Sequence, residues 1–369
     1  MTGLKSAEAG QLGYGFTPPA SRRPYSEGHG NKIDYLLEAW LDMTPLDEMS
    51  NSVNGGSGRA LPDVVDHLYK NILNLLKGLD GIDRIPKEDG EKAVIQNQRH
   101  PRIKNAGLFL SAFYDAIGLN EIVFDLETET PLDYLGYKLP EGRTLILKTD
   151  TGEHIGCSSE GTLVNYGTME GNLGPWSTGN AINFGEVKYD IVVSGNVINY
   201  GKVRKVFSES GKSGLCANFG YVRQICNKSA FNLEEADIID SGVSVNFGKT
   251  LHLGTSYGLI AVNLGEAQIV GCPASTISRY QYCFPIKHPK ETVDTDKDYI
   301  FEAGPEMKKY LEDVRKELEK YRNSGYPDCL GVLDFLGRAS EGLIEKVRVD
   351  VGDKWNGFDK KTYRSGNRN

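Results

Sequence analysis

The spacing of apolar residues changes twice along this chain, and each change marks a different kind of element. From Ile33 to Met43 the apolar positions Ile33, Leu36, Leu37, Trp40 and Leu41 recur at helical intervals. A stronger stripe follows in Leu61, Val64, Val65, Leu68, Ile72, Leu75 and Leu76, closing at Gly78. A third helix is predicted from Lys104 to Ile117. Helical spacing then gives way to short β-branched runs at Asn120 to Leu126 and Thr144 to Lys148, which read as the first imperfect coils of what comes next.

From Gly161 to Val270 one phrase repeats. Its copies are Val164-Asn165-Tyr166-Gly167, Ile182-Asn183-Phe184-Gly185, Ile198-Asn199-Tyr200-Gly201, Ala217-Asn218-Phe219-Gly220, Val245-Asn246-Phe247-Gly248 and Val262-Asn263-Leu264-Gly265. A degenerate copy, Phe231-Asn232-Leu233-Glu234, fills the wide gap, and the asparagines then step by 18, 16, 19, 14, 14 and 17 residues. Such a step marks a solenoid. Each copy reads as a short strand running into a bend, with another glycine four residues ahead in most copies (Gly161, Gly179, Gly195, Gly214, Gly242).

Stacked at about 4.8 Å per coil, seven coils make a rod of roughly 30 Å. Asn165, Asn183, Asn199, Asn218, Asn232, Asn246 and Asn263 then form one column, and Tyr166, Phe184, Tyr200, Phe219 and Phe247 another, continued by Leu233 and Leu264. Strict alternation would turn the amides outward; an asparagine at the bend can turn them inward, and the closely following glycine favours the bend. The glycines are expected to supply the corner conformation and the asparagines to tolerate a left-handed one.

Beyond Val270 the pattern is irregular as far as Ile300. Helical spacing then returns from Pro305, through Met307, Tyr310, Leu311, Val314, Leu318 and Tyr321, and again in Leu330, Leu333, Phe335, Leu336 and Leu343. These predict a hairpin lying on the far end of the solenoid or on the N-terminal helices, or a stripe for a helix of another subunit. The fold class is therefore mainly β: a parallel β-solenoid with α-helical N-terminal and C-terminal flanking regions. Residues 1–30 read as a disordered segment, 31–119 as helical, 120–272 as solenoid, 273–350 as a helical hairpin region and 351–369 as a flexible, modestly basic tail.

With its Asn-aromatic-Gly phrases the repeat region resembles a parallel β-helix with an asparagine ladder, as in the pectate-lyase-like group. More distantly it is similar to uncharacterised archaeal proteins rich in such repeats. The resemblance implies an architecture and carries over no catalytic residue.

Composition narrows the function by exclusion. The chain has 369 residues, 39% hydrophobic and 25% charged, so it is ordinary globular material. Acids exceed bases by 50 to 42, for a formal net charge of −8, which argues against a nucleic-acid partner. The six cysteines, Cys157, Cys216, Cys226, Cys272, Cys283 and Cys329, are scattered without a CxxC pair and read as reduced, mostly buried thiols of a cytoplasmic protein. Neither a signal peptide nor a membrane span is seen, so a soluble chain without a membrane partner is expected. Asn227-Lys-Ser229 is read as a chance glycosylation sequon.

Partial motifs fail on inspection. Gly13-Tyr-Gly15 lacks the strand and third glycine of a dinucleotide site, and the Gly-rich run Asn54 to Gly58 lacks a following lysine in Walker register. Ser210-Gly-Lys-Ser213 has Val206 where a phosphate loop needs its first glycine. Asp294-Thr-Asp296-Lys-Asp298 has Tyr299 and Pro305 where a calcium loop needs Gly and Glu. His67 is a lone imidazole on its helix. No metal site or cofactor is assigned.

Carboxylates remain, because parallel β-helices act on polysaccharides through paired acids. Glu186 and Glu266 share a coil position with Lys202 and Lys249, as a solvated surface position does, and Asp190 is a further acid. The acidic insert Glu234, Glu235, Asp237 and Asp240 breaks the corner glycine and is the candidate site. The leading expectation is a non-catalytic scaffold that meets a protein partner or its own kind; the alternative is a polysaccharide lyase or glycoside hydrolase on the same rod.

Overall fold

The computed structural model describes residues 29–43, 60–208, 214–254, 260–271, 281–285 and 298–351. The runs beginning at Gly13 and at Asn54, Ser210 to Ser213, Cys272, Asp294, Asp296 and the basic tail lie outside those residues.

Four helices come first: α1 (His29–Met43), α2 (Ala60–Lys77), α3 (Lys87–Gln96) and α4 (Ala106–Ala116). In chain order the strands are β1 (Glu121–Phe124), β2 (Thr144–Leu147), β3 (Thr162–Asn165), β4 (Thr168–Met169), β5 (Leu173–Ser177), β6 (Asn180–Asn183), β7 (Glu186–Val193), β8 (Val197–Asn199), β9 (Lys202–Phe207) and β10 (Leu215–Asn218). They continue as β11 (Tyr221–Cys226), β12 (Ser229–Asn232), β13 (Glu235–Asp240), β14 (Val243–Asn246), β15 (Lys249–Gly254), β16 (Ile260–Asn263), β17 (Glu266–Gly271), β18 (Gln281–Pro285) and β19 (Asp298–Glu302). Helices α5 (Pro305–Glu319) and α6 (Gly331–Val351) close the described chain.

The chain coils between two parallel sheets. The first runs β1-β2-β3-β6-β8-β10-β12-β14-β16 and ends in the antiparallel pair β18-β19; the second runs β17-β15-β13-β11-β9-β7-β4, with β5 also on β7. Both early β-runs are coils, as expected, since β1 pairs with β2 and β2 with β3 in parallel register. The stretch before Ile300 is less irregular than its sequence suggests, because β18 and β19 lie across the last rung of the first sheet. They cover an edge that would otherwise offer unpaired backbone to another chain.

Asparagine ends the strand of every ladder coil. Asn165 faces Asn183, which faces Asn199, and so on in unbroken register to Asn263. Each Nδ2 donates to the Oδ1 of the next, at 2.9, 2.8, 2.8, 2.7, 2.8 and 2.9 Å. The amides are internal, and six of the seven have no exposed surface at all. Next to them, on the outer side of the corner, Tyr166, Phe184, Tyr200 and Phe219 stack at 4.6, 4.8 and 4.8 Å within 8° of parallel. Leu233 interrupts the rings before Phe247.

The corner glycines have a different role from the one expected. Gly185, Gly201, Gly220, Gly248 and Gly265 are not among the positive-φ residues, and neither are the ladder asparagines. Instead, a Cβ on Gly201 would stand 1.8 Å from the Gly185 carbonyl oxygen, and one on Gly265 2.0 Å from that of Gly248. Glycine is required there because adjacent coils approach too closely for any side chain.

Alternation along the ladder strands gives two buried layers. Leu163, Ala181, Val197, Cys216, Ala230 and Ala261 point with the asparagines into the coil and meet Val187, Val203, Val222, Ala236, Ile225 and Ile239 of the second sheet. At the N-terminal end this interior merges with α1 to α4, so those helices cap the stack as expected. Helix α4 is buried along its length from Ala106 to Tyr114. Its Ser111 hydroxyl accepts from the Gly136 amide at 2.8 Å, tying the cap to the first turn of coil.

The intervening residues Val164, Ile182, Ile198, Ala217, Phe231, Val245 and Val262 face outward, yet they are buried too. They form a second core with Met307, Leu311, Val314 and Leu318 of α5 and Leu336, Leu343 and Val347 of α6. The hairpin therefore lies along the flank of the solenoid, neither on its far end nor on the N-terminal helices. Physically, a row of large apolar side chains worth about 1.5–3 kcal/mol each when fully buried needs a cover along its whole length. Contacts fix the direction: Tyr326 hydroxyl meets Thr144 on β2 at 3.0 Å, Gly337 lies against Leu215 on β10, and Ser340 meets Ser229 on β12 at 2.7 Å. So α6 runs along the stack from its first coils toward its last.

Candidate interaction face

The second sheet presents a different exterior. Along β9, inward residues fall three apart, at Val203 and Val206; the same holds for Val222 and Ile225, and for Ala236 and Ile239. A flat strand alternates its side chains, so the chain must bend between the two. The pairing shows where: Arg204, Arg223, Asp237 and Leu251 are each skipped in the register between neighbours. These residues sit at an outer ridge. Arg223 and Leu251 are exposed, Arg204 likewise, and Asp237 is partly buried.

Beside the ridge runs a column that opens each strand: Glu186, Lys202, Tyr221, Glu235, Lys249 and Glu266, each registered on the next. The five charged members are exposed, as expected for Glu186, Lys202, Lys249 and Glu266. No described helix shares a core with this face. Pairs between coils decorate it. Lys188 donates to Glu170 at 2.7 and 2.8 Å, Arg204 grips Asp190 through two bonds at 2.9 and 3.1 Å, and Tyr221 donates to Asp237 at 3.1 Å. Arg204 also lies over the exposed ring of Tyr189 at 5.1 Å. The Lys188 and Arg204 pairs went unread in the sequence, although Glu170 and Lys188 stand 18 residues apart, one coil step.

The acidic insert does not gather into one place. Glu234 occupies the corner-glycine position and pairs with Arg322 beyond α5, where it helps hold the hairpin. Glu235 opens β13, Asp237 stands at the ridge bonded to Tyr221, and Asp240 ends the strand. By its pairing Glu234 is turned away from the other three, which follow one another along β13.

Elsewhere a crevice of about 260 Å³, open solvent included, lies between α2, α4 and the first coils, lined by Tyr69, Tyr114, Asp115, Lys138 and Arg143 among others. Its polar groups are engaged with one another: Arg143 donates to Asp115 at 3.0 Å, Tyr69 to Asp115 at 3.3 Å, and Tyr114 to Glu91 at 3.3 Å. Burial, and after it the neighbouring carboxylates, push both tyrosine hydroxyls well above their usual pKa. They are fixed hydrogen-bond donors, and the space is small for a ligand site.

Four cysteines, Cys157, Cys216, Cys226 and Cys329, are free, and all but Cys226 are buried. Burial pushes the Cys216 thiol up to about 12 and Cys329 up to about 11, which leaves them protonated and inert. His67 is exposed on its helix, and among the described residues no group of His, Cys, Asp and Glu could hold a metal ion. Asn227 of the sequon is wholly buried and closed to modification in the folded chain. Among the described residues, no helix is long and apolar enough to cross a membrane.

The geometry defines a parallel β-solenoid with an internal asparagine ladder, one flank roofed by helices and one that, among the described residues, carries no helix. No protein-family model, curated protein or solved structure matches the chain. What the structure bears out is the parallel coil with its asparagine ladder, and no residue takes a role from a relative.

Proposed function

We propose that this chain is a non-catalytic scaffold whose second sheet is a docking face for protein, either a different protein or another copy of itself. One observation carries the reading: the two sheets of one coil have opposite exteriors. The first is apolar and roofed by α5 and α6, while the second shows a repeating set of charged and ridge residues across successive strands with no described helix on it. A stiff stack with regularly spaced side chains suits recognition of another ordered surface. Four free thiols suit a reducing compartment such as the cytoplasm, which cell fractionation would check.

The test is positional. A photoreactive phenylalanine analogue placed at Arg204, Arg223 or Leu251 is expected to cross-link protein in cells, whereas the same group at Lys92 or Glu341 on the helices is not. Cross-linking at neither set, or equally at both, would remove the reading.

A further inference from the structure

From the charge order on the bare sheet we infer that its partner is a second copy of this chain, joined face to face about a two-fold axis parallel to strand β11. The inference rests on the docking reading above and names its occupant. A two-fold along the strand direction keeps each column of side chains opposite itself and reverses the order of coils. Reading along the stack, the first column is Thr168, Glu186, Lys202, Tyr221, Glu235, Lys249, Glu266. With the axis at Tyr221, Lys202 faces Glu235 of the second copy and Glu186 faces Lys249 of the second copy, each pair occurring twice. Glu266 faces neutral Thr168.

The ridge obeys the same arithmetic. Arg204 faces Asp237 of the second copy, again twice, and Leu251 faces the exposed Tyr189 region. Arg223 alone meets its own kind across the axis, flanked by the two Asp237 carboxylates one coil away.

Shifting the axis destroys this match. Midway between Tyr221 and Glu235, Lys202 would face Lys249 and Glu186 would face Glu266. Midway between Lys202 and Tyr221, Glu186 would face Glu235. Centred on Glu235 or on Lys202, the opening column and the ridge both set a like charge against itself, whereas the Tyr221 register does so at the ridge alone. Among registers that overlay at least five of these strands, only the one centred on Tyr221 makes every charged pair in the opening column opposite in sign, so charge complementarity together with the extent of overlap favours that arrangement.

The size of the face sets the strength of the contact. Five strand steps by about five residues is roughly 24 Å by 16 Å, or on the order of 800 Å² buried over both copies. That is the range of weak, transient contacts, so association is expected only toward the high end of protein concentration and at low salt. Exposed ion pairs contribute much of its specificity, so it weakens as salt rises.

Sedimentation velocity of the full chain from 10 µM to 1 mM in low salt, with a parallel series at 0.5 M salt, reads the association directly. The expected result is a concentration-dependent dimer that salt reduces at least tenfold in affinity. Lys202→Glu should abolish it, and Lys202→Glu combined with Glu235→Lys should restore it, because the swapped charges again meet in opposite sign. In a Cys226→Ser background, Tyr221→Cys should give a disulfide-linked dimer on mild oxidation, and Glu266→Cys should not. A monomer throughout with no Tyr221→Cys cross-link overturns the self-pairing. So does a dimer indifferent to the Lys202→Glu change. If the photoreactive positions then capture a different protein, the docking reading stands without its second copy; if they capture nothing, both fall.

Discussion

The two sheets of this solenoid share a backbone path and an interior but differ outside. On the first, the residue before each asparagine is Val164, Ile182, Ile198, Ala217, Phe231, Val245 or Val262, all buried beneath α5 and α6. On the second, the outward residues include Lys202, Arg204, Arg223, Glu235, Lys249 and Leu251, with solvent against them. The backbone hydrogen bonding is equivalent, so side-chain polarity decides which flank recruits a cover. A β-solenoid is thus two surfaces that sequence can specify separately.

The sharpest way to break the comparison is to put one charge on each flank. Ile198→Asp would bury an unpaired carboxylate under the hairpin and should cost about 4 kcal/mol or more, enough to threaten folding. Leu251→Asp on the bare flank should change stability by no more than about 0.5 kcal/mol. Urea titration of both variants decides it; similar losses would mean that the hairpin is not a real cover.

A smaller effect separates the interior from either exterior. Asn199 accepts from Asn183 and donates to Asn218, to the Gly201 carbonyl at 3.1 Å and to the Tyr221 carbonyl at 3.3 Å. Asn199→Ala should therefore cost about 1–3 kcal/mol by stranding buried partners. Asn165→Ala should cost less, since its Oδ1 is a buried acceptor without a hydrogen bond at the head of the ladder. Glu186→Ala should be nearly silent, within about 0.5 kcal/mol. Thermal melts that rank the three in any other order would count against the ladder as a source of stability.

The smallest effect concerns the capped end. His154 stacks on Tyr134 at 5.2 Å, and burial depresses its pKa from 6.5, outweighing the opposing pull of Glu153. A depressed histidine is neutral in the fold and protonates more readily once unfolded. Its contribution is present above pH 6.5 and declines as pH falls through that value toward the folded pKa. Denaturation midpoints between pH 7.5 and 5.5 should drop, and His154→Gln should flatten part of that slope. An unchanged slope in the variant would assign the pH response to other groups.

Much of this arrangement was readable beforehand, and the errors have physical causes. The coil step, the ladder and the ring column follow from Asn-aromatic-Gly recurrence, because stacked coils place equal residues over one another. Helices α1, α2, α4, α5 and α6 showed clear stripes. Helix α3 did not, since Lys87–Gln96 is mostly polar and carries Gly90, whose Cβ would stand 2.6 Å from the Phe113 ring. That glycine serves helix contact, which periodicity cannot show. Treating the flanking apolar residues and the asparagines as rivals for a single core hid the second core. A single core leaves the hairpin only the ends to cover, whereas Val164, Ile182 and Ile198 form an apolar flank that the hairpin covers. The acidic insert looked like one cluster because four acids crowd seven residues, but a strand spreads them along its length and turns Glu234 to Arg322.

The hairpin also acts as a ruler. Helix α6 advances three residues, about 4.5 Å, between Gly337 beside β10 and Ser340 beside β12, close to one coil step of about 4.8 Å. Each extra coil would outgrow its roof unless about three residues were added to the helix. Coil number and helix length are therefore locked together, and lineages that gain or lose a turn should show matching insertions or deletions in α5 and α6.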